Sequence, residues 1–177
     1  MPASILTRPT AVDHAPYYGR YISLVPPGDL LAILHTQIGE LQTLLAIDEA
    51  RSRSAPAPGR WSIRDVVGHL ADVERILAYR ALSFARGDRA RLPGFEQAEW
   101  NPFGQFHERP LADLLAEWTI ARQATIALAR GLPGEALARR GIASDVEFTV
   151  LALLTILPGH LAHHTALLRR DWLAAPG

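Results

Sequence analysis

The chain contains no cysteine and no lysine, and its 18 arginines are matched by 18 acidic residues. Without cysteine there is no thiolate to bind a metal or act as a nucleophile, and no disulfide framework. A redox couple carried by the protein's own side chains is excluded with them. Zero net charge, with both signs spread along the chain, leaves no basic stripe to neutralise phosphates, and nucleic acid is not expected as a partner. Long hydrophobic runs are missing as well. The longest, Val150 to Leu157, includes Thr155 and falls far short of the roughly 20 residues that cross a bilayer, so no membrane span is expected. Met1 to Thr7 has neither the basic start nor the continuous apolar stretch of a secretory signal, and the expected location is the cytoplasm.

At 177 residues the chain fits one domain, 1–177, able to bury a core without disulfides or metal to hold it together. Residues 1–26, with Pro9, Pro16, Pro26 and the cluster Tyr17, Tyr18, Tyr21, read as an irregular arm packed on the body. Helix 1 is expected after Pro27-Gly28, because Leu30, Leu34, Ile38, Leu41 and Leu45 recur at helical spacing up to about Ile47. Helix 2 has the clearest start. Ser62 can cap the orphan amides, Asp65 supplies a capping-box carboxylate, and Trp61 can pack on Val66. Its stripe of Val66, Leu70, Val73, Leu77 and Phe84 continues until Gly87-Asp88. The connection from Asp88 to Arg109 shows no clean period, and a loop this long inside a compact domain is more often functional than idle. Helix 3 begins near Pro110 and ends at Gly131-Leu132-Pro133-Gly134; helix 4 starts with Thr149 as cap and runs to about Trp172, with Leu153, Leu157, His160, His164 and Leu167 inward. Four amphipathic helices with no convincing strand predict an all-α four-helix bundle.

Three histidines carry the chemistry that the pattern suggests. On a helix, residues i and i+4 lie about 40° apart and about 6 Å along the axis, so His160 and His164 can reach one divalent cation. His69, close to the inner stripe of helix 2, can supply a third imidazole across the bundle. Three protein ligands leave coordination positions open, as catalytic sites do and closed structural sites do not. Two imidazoles buried side by side without a cation would otherwise leave ring nitrogens wanting partners among leucines, at about 1–3 kcal/mol each. A His160/His163 pairing is also geometrically possible but would turn His164 aside. His14, His35 and His107 have no partner spacing and read as surface residues.

Four further residues are candidates. Asp72 lies one turn beyond His69 and can orient a ligand imidazole or accept a proton, or can be a solvated helix carboxylate. Glu74, turned away from His69, is read as the partner of an arginine. His163 is either a rim residue or a proton carrier. Arg122, central on the apolar stripe of helix 3, either forms an internal pair with Glu74 or Asp72 or presents its guanidinium to a substrate anion. Trp100, in the aromatic loop 93–106, is a candidate to hold the substrate. Pro158, two residues before His160, predicts a kink or a late start in helix 4.

The segments R-W-S-I-R-D-V-V-G-H-L-A-D-V-E-R-I-L-A-Y-R at 60–80, L-P-G-F-E-Q at 92–97, E-W-T-I-A-R at 117–122 and G-H-L-A-H-H at 159–164 together resemble the DinB/YfiT-like superfamily. The likeness extends over nearly the whole chain, including the tyrosine arm and the Pro-Pro-Gly-Asp entry to helix 1. The resemblance implies an up-down-down-up four-helix bundle, commonly a homodimer, and His69, His160 and His164 match the family's metal triad, which holds zinc, nickel, iron or manganese in different members. Some members resemble thiol-dependent transferases using bacillithiol, mycothiol or glutathione; others are described as metal-dependent hydrolases. Pro158 in the last helix and Glu96, where aspartate is usual, depart from the pattern.

The expectation is therefore a metal-dependent enzyme acting on a small molecule, in which the cation activates water or, since the chain has no cysteine, an external low-molecular-weight thiol. Two other readings stand beside it. In one, the chain is a non-catalytic metal-binding stress-response or interaction module; in the other, a degenerate member binds an apolar ligand without metal.

Overall fold

Three of the four long helices begin where a side chain satisfies amides that a first turn leaves without partners. In the computed structural model, which describes residues 4–173, Asp29 accepts from Leu31 N–H ahead of α1 (Leu30–Leu44), and Thr149 accepts from Ala152 N–H ahead of α4 (Val150–Leu167). Ser62 does the same for Asp65 N–H ahead of α2 (Ile63–Ala85), and Asp65 takes the Ser62 amide in return at 2.9 Å, closing the expected capping box. α3 (Leu111–Arg130) follows Pro110 without a side-chain cap.

Two apolar clusters show how the helices run. One gathers Leu30 to Leu34 of α1, Val73 to Ala85 of α2, Ile126 and Ala129 of α3, and Val150 to Leu157 of α4. The other gathers Leu41, Ile63 to Ala71, Leu111 to Trp118, and Leu161 with Leu168. The start of α1 thus lies beside the end of α2, the end of α3 and the start of α4, which makes the topology up-down-down-up. α1 and α2 each pack on both α3 and α4, so helices consecutive in the first and second pairs sit across diagonals. Between the clusters lies a layer of buried polar side chains, Gln37, His69, Glu74, Arg122 and His160. Buried polar groups need partners, and Gln37, Glu74 and Arg122 find them in one another.

The inner stripe expected for helix 4 is too narrow a description: every residue from Val150 to Leu161 is buried. The helix is enclosed by α1, α2, the N-terminal arm and a hairpin. By length and composition Val150–Trp172 could cross a membrane, but 67% of that apolar window is buried inside the bundle. Pro158 does not delay the helix, which is continuous from Val150 to Leu167 and ends in a π-type turn at Leu168–Trp172.

The absence of strands is corrected. Arg140–Ala143 (β1) and Val146–Thr149 (β2) pair antiparallel, with Arg140 opposite Thr149 and Ala143 opposite Val146. Their two-residue turn places Ser144 and Asp145 at φ 52° and 60°, a left-handed pair for which glycine or asparagine is the usual signal, and four-residue strands carry too little alternation to be read without it. The arm is likewise not wholly irregular, since a turn at Pro16–Tyr18 runs into a short helix at Gly19–Ile22; its residues 1–3 lie outside the described residues. The 88–109 connection contains a short helix, Gln97–Gly104, and a turn at Phe106–Glu108.

Candidate metal centre

His69 projects from the first half of α2, and His160 and His164 from the second half of α4, two antiparallel helices in contact. The Nε2 atom of His160 lies 3.2 Å from that of His69 and 3.1 Å from that of His164. One nitrogen from each of the three rings falls within 4.8 Å of the other two. Glycines precede two of them and permit this approach. A Cβ on Gly159 would fall on the Tyr21 carbonyl, and one on Gly68 would fall on the Phe106 ring. Tyr21 sets its ring edge-on to His160 at 5.4 Å, and Trp61 lies 5.1 Å from His69, so neighbouring aromatics restrict both imidazoles.

A neutral imidazole nitrogen carries either one hydrogen or one lone pair. Three Nε2 atoms crowded around one point therefore cannot satisfy each other; His160 Nε2 faces two neighbours and can make a linear N–H···N bond with one of them. A cation accepts all three lone pairs. The separations of 3.1 and 3.2 Å are close to the roughly 3.3 Å edge of a tetrahedron built on metal–nitrogen bonds of about 2.0–2.1 Å. The donor set fits a divalent ion of intermediate hardness with nitrogen preference.

Burial keeps these rings neutral, the state that ligates. It lowers His69 to about 4. His164 falls to about 3, again chiefly by burial, with repulsion from His69 and His163 added. His160 is pushed well below the ordinary value by burial, then by its three histidine neighbours and Arg122. Metal-free protein is accordingly expected to lose stability on acidification. Below the unfolded value of 6.5 the unfolded chain binds protons that the native state refuses until about 4 for His69 and about 3 for His164, so the free energy of unfolding falls across that window as pH drops. His69 alone accounts for about 3 kcal/mol at about 1.4 kcal/mol per pH unit. Urea unfolding in chelator at pH 7.5 and 4.5, against a His69→Leu variant, checks this; an equal pH response in the two proteins would contradict it.

The other residues expected at the site are placed differently. Arg122 is turned to its structural alternative: its Nε and Nη2 donate to the two Glu74 oxygens at 3.0 and 2.9 Å, and Nη1 donates to Gln37 Oε1 at 2.9 Å. Gln37 Nε2 in turn donates to the Pro158 carbonyl at 3.0 Å. At 1% exposed, that guanidinium is closed to a substrate. Asp72 faces the α3 side, with Arg75 at 4.0 Å and Glu117 nearby, and makes no hydrogen bond to the three imidazoles among the described residues. Three residues on from His69 rotates the side chain about 60° away, enough to move it from the α4 side to the α3 side. His163 stands half-buried at the rim, 5.2 Å ring to ring from His164 and 5.5 Å from Tyr21, outside the converging nitrogens. Trp100 is half-exposed on the short helix 97–104 and packs on Phe95 at 5.4 Å.

A cavity of about 290 Å³ ends on His160 and is walled by Tyr18, Tyr21, Phe95 and Arg80, with Val73 and Leu77 along one side. Trp100 is not among its walls. A larger groove of about 490 Å³ between α1 and α4 touches none of the three histidines and is set aside as a site. Arg80 and Tyr18 are the residues that reading the sequence missed, whereas Phe95 belongs to the aromatic loop 93–106 that it singled out. Arg80 had a signal available: it lies eleven residues after His69, close to the same helical face.

Fold and site together define a four-helix-bundle protein with a three-histidine centre held between its second and fourth helices. The chain belongs to the DinB superfamily, whose family pattern matches residues 33–168. Among solved structures it is similar to YfiT from Bacillus subtilis, with a TM-score of 0.67 and 18% sequence identity over 93% of each chain. That protein is described as a probable metal-dependent hydrolase with an unusual four-helix bundle topology. The likeness at this identity establishes the shared fold. No curated protein sequence matches the chain.

Proposed function

We propose that this protein is a metal-dependent enzyme that holds one divalent ion through His69, His160 and His164 and acts on a small molecule with water or an external low-molecular-weight thiol as nucleophile. The observation that carries the reading is the crowding of three neutral Nε2 atoms, two contacts at 3.1 and 3.2 Å, in a way that hydrogen bonding alone cannot satisfy. An ion bound there supplies Lewis acidity and lowers the pKa of whatever water or thiol reaches its remaining positions. The protein's own part is to hold, orient and shield. Tyr21 and Trp61 restrict two of the imidazoles, and burial keeps all three unprotonated at neutral pH. His163 sits where a proton can pass between site and solvent. The cavity beside His160 admits a small molecule, and the balanced surface charge favours neither nucleic acid nor an anionic membrane as partner.

Hydrolase resemblance in YfiT and thiol transfer in other family members leave two reaction types to separate by assay. Untagged protein is expected to contain about one divalent ion per chain by elemental analysis. Turnover of an ester panel, or of an electrophile panel with added thiol, is expected to stop on chelation and return with metal. Turnover that survives complete metal removal would refute the mechanism. Assembly as a homodimer and a cytoplasmic location belong to the same proposal; light scattering tests the first and cell fractionation the second.

A further inference from the structure

Three arginines are buried in the described structure, Arg64, Arg80 and Arg122. A buried charge without a counterion is costly, several kcal/mol even after relaxation. Arg64 has Glu49 and Arg122 has Glu74. Arg80 has no carboxylate partner among the described residues. Its Nη2 donates to the Pro93 carbonyl at 2.7 Å and to Ser144 Oγ at 3.0 Å. Among the described residues the N–H groups on Nε and Nη1 have no hydrogen-bond partner, yet they are not among the sealed, unpaired atoms of the core, as Trp118 Nε1 is. Arg80 lines the cavity that His160 also lines, and a neighbouring groove beside Tyr79 and Trp100. The neighbouring Tyr18 is not a hidden counterion, because burial raises its pKa more than Arg80 lowers it. Glu96 also lines the cavity, but it is exposed and makes no ion pair with Arg80.

The position of Arg80 gives the vacant charge a direction. Eleven residues separate it from His69, about three turns and about 16 Å along α2 on nearly the same face. Val73 and Leu77 lie between them, and Ile156 of α4 and Phe95 face the same space. The cavity is therefore lined by a cationic group, by apolar side chains and, of the three histidines, by His160. Nε–H lies on the guanidinium edge shared with Nη2, whose hydrogens are taken by Pro93 and Ser144, so the free Nε and Nη1 groups each offer an anion a single charge-assisted hydrogen bond.

We propose that Arg80 is the anion-recognition residue of the substrate cleft, so that the protein takes an elongated small molecule with a carboxylate at one end, an apolar body, and its reacting group at the histidine end. This rests on the reading that the three histidines form the reaction centre, but its test does not depend on turnover. The probes are 3-phenylpropionate and its neutral amide, titrated by calorimetry into metal-loaded and metal-stripped wild type, Arg80→Gln and Arg80→Lys. The acid is expected to bind wild type at least tenfold tighter than the amide, with or without metal. Arg80→Gln is expected to lose tenfold or more for the acid and little for the amide, and Arg80→Lys to recover part of the loss. Should Arg80→Gln fail to fold, the acid-to-amide ratio in wild type and in Arg80→Lys decides. Equal binding of acid and amide, no saturable binding of the acid, unchanged binding in Arg80→Gln, or acid binding that disappears when metal is stripped would each overturn the assignment. Failure of the metal reading would show separately, as absent metal and unaltered turnover on chelation.

Discussion

His160→Ala is expected to lower bound metal from about one ion per chain to a small fraction of that, and to abolish the rise in melting temperature that added metal produces in wild type. His160 is the central donor, since its Nε2 lies beside both other ring nitrogens, whereas the shared contact of His69 and His164 is mediated by it. Loss of a supporting partner outside the ligand set already weakens metal sites about 10–100-fold, and loss of one of three ligands exceeds that. Ion present at 100 times its dissociation constant stabilises the native state by about 2.7 kcal/mol, so the missing shift is well within calorimetric reach. His163→Ala, one residue from the ligand His164 but outside the converging set, is expected to keep its metal. Full metal content in His160→Ala would remove the ligand assignment.

The largest loss of stability is expected from Glu74→Ala, about 3–5 kcal/mol, because removing one partner of a buried ion pair leaves the other charged and unpaired. Glu74 and Arg122 are 2% and 1% exposed, and no solvent can take over the guanidinium. The pair also anchors a chain of contacts through Gln37 to the Pro158 carbonyl, two residues before His160. Its loss should therefore loosen α1 against α4 next to the metal centre. Replacing both partners, as in Glu74→Leu with Arg122→Met, is expected to recover most of the loss, since apolar residues of similar volume often match or exceed a buried ion pair. Urea midpoints at constant m-value measure all three proteins. A Glu74→Ala cost near that of a surface change, under about 0.5 kcal/mol, would contradict the role given to the pair.

His160, His164, Glu74 and Asp72 show what a reading by helical angle decides and what it leaves open. Helical angles placed His160 and His164 together because that pairing is internal to one helix, and they turned Glu74 away from His69 for the same reason. For Asp72 two roles stayed open, because an angle on an isolated helix does not say which neighbour occupies which side. With α3 on one flank of α2 and α4 on the other, a rotation of about 60° decides between the histidine centre and the Arg75/Glu117 group. The hairpin escaped notice because Ser144 and Asp145 adopt left-handed conformations without the glycine that usually announces them.

What the amino-acid order determined on its own is local: the 3.6-residue period of four helices, the caps at Ser62 and Thr149, the exclusion of any thiolate of the protein's own, and the one-turn spacing of His160 and His164. Each of these follows from backbone geometry within a few residues. The packing decided the rest. It brought His69 within 3.2 Å of a residue 91 positions away, gave Arg122 to Glu74 and left Arg80 without a carboxylate among the described residues. Such pairings depend on which helices lie across a diagonal and which touch. That is settled by burying all apolar faces at once, a condition on the whole chain that no local stretch contains.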